Sequence, residues 1–102
     1  MKDQLKMLRQ VQQMQDRMSK VQTELETETV EASAGGGAVR VVATGTQKLV
    51  SVTIDPDAAA ELDMLQDMVV AAVNEAMGMS KQLAASKMQA VASGLGLPPG
   101  LI

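Results

Sequence analysis

SAGGGAVRVVATG, residues 33–45, places three consecutive glycines before a run that reads as strand. Such a triplet can serve an anion or a turn. A phosphate loop needs Gly-Lys-Ser/Thr opening a helix, and a dinucleotide fingerprint needs a spaced G-x-G-x-x-G doing the same. Here Gly35, Gly36 and Gly37 lead into AVRVVAT, rich in β-branched residues and without a capping box. Glycine takes φ > 0 without a Cβ penalty, as hairpin turns demand, so the triplet reads most simply as a hairpin connection.

Working outward, TVEASA (29–34) enters the hairpin and VRVVAT (39–44) leaves it. Gly45-Thr46 makes a second turn, and KLVSVTI (48–54) runs on to Asp55-Pro56. In that third strand Val50, Val52 and Ile54 alternate with Ser51 and Thr53, so one face is apolar and the other can be wet. The connections are too short for a crossover, which makes the sheet an antiparallel meander.

The flanks are helical. Met7, Val11, Met14, Met18, Val21 and Leu25 fall at heptad spacing within residues 2–27, with Gln and other good helix formers in most gaps. A helix of that length spans about 39 Å, too long for so small a chain to cover. Part of it projects or pairs with another chain, or the seam packs on its own sheet. A second helix begins near Asp63, which has capping-box spacing to Gln66, and Leu65, Val69, Ala72, Ala76, Met79 and Leu83 continue a seam to about Ser93. Gly78 marks a bend in it, and GLGLPPGLI ends it. The fold class is α+β, in the order α-β-β-β-α with two long helices. Residues 1–93 form a single domain and 94–102 a Gly/Pro-rich tail.

Composition sets bounds on chemistry. The chain has 102 residues, nine Met, and no Phe, Trp, Tyr, His or Cys. A single domain of this size buries only about two-thirds of its unfolded surface, so association enlarges its core. Without His or Cys there is no zinc site of ordinary type and no Ser-His or Cys-His pair. The neighbours Ser80-Lys81 and Ser86-Lys87 point about 100° apart on a helix and read as surface, not as a Ser-Lys dyad. Asp63 and Asp67 suit a helix start, and Asp55-Pro56-Asp57 a turn rather than a metal loop. The expectation is a non-enzyme with no cofactor, metal or small-molecule substrate. The N-terminus lacks a signal-peptide apolar region and no run of about 18 apolar residues occurs, so a cytoplasmic location away from membranes is expected.

Net charge is −3, but it is unevenly placed. Residues 1–20 carry Lys2, Lys6, Arg9, Arg17 and Lys20 against Asp3 and Asp16, a local +3; Glu24, Glu26, Glu28 and Glu31 follow at once. Lys2, Lys6, Arg9 and Lys20 lie away from the Met/Val seam, with Arg17 on its flank, so they can face outward together. Such a stripe is either a solvated helix face or an electrostatic footprint for nucleic acid.

Taken in order, QQMQDRMSKVQTEL, VEASAGGGAVRVVATG, LVSVTIDP, LQDMVVAAVNEAM and GLGLPPG resemble the YbaB/EbfC family of bacterial nucleoid-associated DNA-binding proteins over nearly the whole chain. The resemblance implies a homodimer with projecting, tweezer-like helical arms that binds duplex DNA with little sequence preference and shapes the nucleoid. The residues permit this. With no aromatic ring there is no stacking platform for unpaired bases, whereas Lys and Arg can neutralise duplex phosphates without reading base edges. The candidate DNA contacts are Lys2, Lys6, Arg9, Arg17 and Lys20, then Lys81 and Lys87. Met7, Val11, Met14, Met18, Val21 and Leu25 form the candidate dimer or packing seam. The competing class is a helical adaptor that binds another protein, with DNA incidental.

Overall fold

The computed structural model describes residues 2–94. Helix α1 (Lys2–Thr27) is followed by strands β1 (Thr29–Ala34), β2 (Val39–Thr44) and β3 (Leu49–Ile54), a short 3-10 helix (Pro56–Ala60) and helix α2 (Leu62–Gly94). The expected α-β-β-β-α order is the observed one. The sheet is an antiparallel meander in the order β1-β2-β3, and the molecule is elongated, 70 × 21 × 15 Å.

The glycine triplet turns the first hairpin. Gly35, Gly36 and Gly37 have φ of 63°, 67° and 94°, a region that disfavours side chains. Gly35 is needed for space as well, because a Cβ there would run into the Met68 thioether of α2. The second turn extends beyond Gly45-Thr46: Gln47 takes the positive φ, 59°. Gly45 is needed instead for close approach, since its Cβ would lie 2.5 Å from Leu25 Cδ2 at the root of α1.

On the inner face of the sheet, Ala34, Val39 and Ile54 form one row across the strands, and Ala32, Val41 and Val52 the next. Register then slips between Val42 and Ala43, so that Leu49 pairs with Ala43 and Val50 is the extra residue of a bulge. Helix α2 lies across β1 and β2, burying Ala32, Val39, Val41 and Ala43 beneath Ala72 and Ala76. The small alanines let helix and sheet approach closely. All six residues of β3 are exposed. The apolar side expected of that strand therefore exists and has no cover among the described residues.

Several details differ from expectation. Helix α2 starts at Leu62, one residue early: Leu65 N–H bonds the Glu61 carbonyl at 2.9 Å, and Asp63 lies inside the first turn rather than at the cap. Asp55 is the residue that caps, accepting from Asp57 N–H at 3.0 Å, with Pro56 opening the 3-10 helix. Strand β3 starts at Leu49 rather than Lys48. Helix α2 passes through Gly78 without a break and reaches Gly94; the rest of the GLGLPPGLI tail lies outside the described residues.

The α2 seam also departs from its expected course. Met79 is 37% exposed, whereas Ser80 is fully buried, which corrects its reading as a surface residue. The Ser80 hydroxyl donates to the Thr44 carbonyl (2.6 Å) and accepts from the Gln47 backbone N–H (3.1 Å) and Nε2 (3.3 Å). It ties the second hairpin to α2.

Candidate nucleic-acid interface

Helix α1 is one unbroken 26-residue helix, and only its C-terminal part is packed. Leu25 is buried; Val21, Met18 and Met14 are half-buried; every residue from Lys2 to Gln13 is exposed. The seam expected over residues 7–25 thus divides in two. Its lower half docks on α2, and its upper half, with Met7 and Val11, belongs to a projecting arm.

Lys2, Lys6, Arg9, Arg17 and Lys20 are all exposed on this helix. At about 100° per residue they fall within a sector about 80° wide, and Lys2 to Lys20 spans about 27 Å. Arg17, at one edge of the sector, flanks the seam, and the other four lie away from it. Asp16 sits at its edge. Lys81 is exposed on α2 and does not join this stripe.

The two cations near the joint between the helices have other engagements. Lys87 Nζ donates to Glu28 Oε1 at 2.5 Å and to Glu24 Oε2 at 3.1 Å, bridging α2 to α1. Hydrogen bonds donated to Glu28 and then to Glu24 hold the ammonium above its ordinary pKa range. Two of the four glutamates that follow the basic segment are thereby partly neutralised. The Arg17 guanidinium lies at the C-terminal end of α2, where a Cβ on Gly94 would come within 2.9 Å of Nη1. A cation there complements the helix dipole, and the last turn of α2 has none of its own. Arg17, Lys20 and Lys87, with Glu24, line an open cleft of about 410 Å³ between the helices, whose floor is Val21, Ala90 and Val91.

Sequence reasoning passed over Arg40 and Lys48, both exposed. Arg40 stands on the outer face of the sheet, in a row with Ser33 and Thr53. The alternation of VRVVAT, which sets Arg40 opposite Val39 and Val41, carries that signal. Among the described residues no group of acidic side chains could hold a metal ion, and no helix is long and apolar enough to cross a membrane.

The chain is a long helix with one basic side, rooted on a small antiparallel sheet, and comparison with known proteins names its family. Residues 1–95 match the profile of the YbaB/EbfC DNA-binding family, and the chain belongs to it. It is a family of DNA-binding proteins, not of enzymes. Similar relatives include a protein of Syntrophobacter fumaroxidans, 45% identical over 100 residues, covering 92% of this chain and 91% of the relative. Another, from Acetivibrio thermocellus, is 45% identical over 97 residues, covering 93% and 86%. Both are named nucleoid-associated protein. Among solved structures, an uncharacterized Helicobacter pylori protein, HP0035, shares the fold at a TM-score of 0.63 and 21% identity, over 71% of this chain and 86% of that one.

Proposed function

We propose that the protein is a nucleoid-associated protein of the bacterial cytoplasm that acts as a homodimer, holding duplex DNA against the basic side of its α1 arms with low sequence selectivity. The observation that carries this reading is the placement of Lys2, Lys6, Arg9 and Lys20 on one exposed side of a helix whose first twelve described residues are all exposed. Long, flexible cations on a rigid rod suit phosphates at intervals along a duplex. They do not read base edges. Family membership supplies the ligand class, and the names of the relatives supply the setting. Organisation of the nucleoid, with an effect on gene expression, follows from occupancy at many sites.

The dimer rests on β3. Leu49, Val50, Val52 and Ile54 are each 39–59% exposed, an apolar strip beside a core already packed under α2. A second copy covers it and completes the core that so small a chain cannot complete alone.

A salt titration of duplex binding tests the DNA reading. With about three to five phosphate contacts per chain the dimer neutralises roughly six to ten, so log K falls against log salt with a slope of about −5 to −9. Replacing Lys6 and Arg9 by Glu lowers affinity for every duplex alike and makes the slope shallower by about 3 to 4. Binding by the double variant as tight as the parent's, across the whole series, rejects this side of α1 as the site. The adaptor reading then takes its place.

A further inference from the structure

The upper half of the α1 seam has no role in what precedes. Leu5, Met7, Leu8 and Val11 are 57%, 62%, 66% and 46% exposed, and Met7, Leu8 and Val11 with Gln4 line a shallow apolar hollow of about 300 Å³. Met7 and Val11 continue the line of Met14, Met18, Val21 and Leu25, along which α1 packs, with Leu8 beside it and Leu5 off that line. Gly94, the last described residue of α2, lies beside Arg17. Above that point no other described residue covers the seam of α1.

We propose that this half of the seam is a self-association surface, distinct from the β3 strip, on which the arm of a second copy lies seam to seam. The charge pattern selects that occupant. Gln4 lines the hollow itself and Gln10 and Gln15 stand beside it, whereas Lys2, Lys6 and Arg9 stand on the opposite side of the helix. A primary amide both donates and accepts, so a glutamine flank is complementary to its own copy. A lysine or glutamate flank would repel its copy and would select an oppositely charged partner instead. The flanks contain one acidic residue, Asp3, and give a charged partner little to hold. Pairing by the seams also leaves both basic stripes facing outward, so that two arms joined back to back present two separate cationic sides. With DNA on each, joined arms link two duplexes, a consequence that rests on the DNA reading above.

Sedimentation of the full chain without DNA tests the pairing, comparing the parent with Met7→Glu/Val11→Glu. Both side chains are exposed in the single chain, so the variant keeps its fold, which circular dichroism verifies. At tens of micromolar the parent is expected at twice the mass of the variant or more, and Met7→Leu/Val11→Leu, which keeps the seam apolar, is expected to match the parent. Equal mass for the parent and the glutamate variant overturns the proposal. So does a loss of mass in the leucine variant equal to that in the glutamate variant. Because no DNA is present, neither outcome depends on the salt titration.

Discussion

Among the described residues Ser80 is the one buried polar side chain, and it ties the second hairpin to α2. Thr44 has a carbonyl and Gln47 a backbone N–H directed at α2, and a hydroxyl can accept from one while donating to the other. Replacement of Ser80 by Ala removes that partner from both, and although the Gln47 N–H still reaches the Thr44 carbonyl at 3.2 Å, unfolding stability should fall by about 1 kcal/mol. Urea denaturation measures this. A change below about 0.5 kcal/mol means that water replaces the hydroxyl. Sequence reading missed Ser80 because its hydroxyl and its Lys81 neighbour both suggest surface. The legible signal is the row Ala72, Ala76, Ser80, small residues one turn apart where a helix comes close to a sheet.

At the scale of elements, the strands were the most legible part, and the reason lies in their punctuation. Glycines at 35–37 and β-branched residues at 39, 41 and 42 fix β2 and the turn before it, whereas the bulge at Val50 depends on a pairing that no local pattern encodes. Charge was less legible than shape. Lys87 was grouped with DNA contacts on its charge, but its position brings it against Glu24 and Glu28, and there it braces α1. Its ammonium is held above the ordinary lysine range by those hydrogen bonds, so the folded state binds this proton more tightly than the unfolded chain does. The stabilisation is complete below the unfolded value of about 10.4 and is lost as pH rises through the folded one. Comparing Lys87→Met with the parent, the gap in denaturant midpoint should be constant across neutral pH and shrink above the ordinary lysine range. A gap that stays constant into strong alkali assigns the effect to packing of the side-chain stem alone.

For the whole molecule, the open question in the sequence was whether the long first helix packs, projects or pairs, and a single chain could not answer it because helix period is the same in all three. The structure divides the helix between packing at Leu25 and projection before Met14. The proposed association through β3 has its own test at this scale. Val52 is 41% exposed, so glutamate is tolerated in the single chain but buries an unpaired charge in the dimer. Val52→Glu should sediment as a folded species of half the parent's mass. An unchanged mass excludes the β3 strip as the interface.

The attachment of α1 has a mechanical side. From Leu25 to Lys2 the helix measures about 35 Å, and the joint near its base consists of Leu25 against Gly45, the Lys87 bridge and Arg17 at the end of α2. A lever of that length magnifies small errors at its pivot. Tilting the root by about 5° carries Lys2 about 3 Å sideways, close to the 3.4 Å advance between successive phosphates of one DNA strand. A methyl group added at Gly45 would therefore move the fingertips out of step with the phosphate ladder that the proposed DNA site would grip.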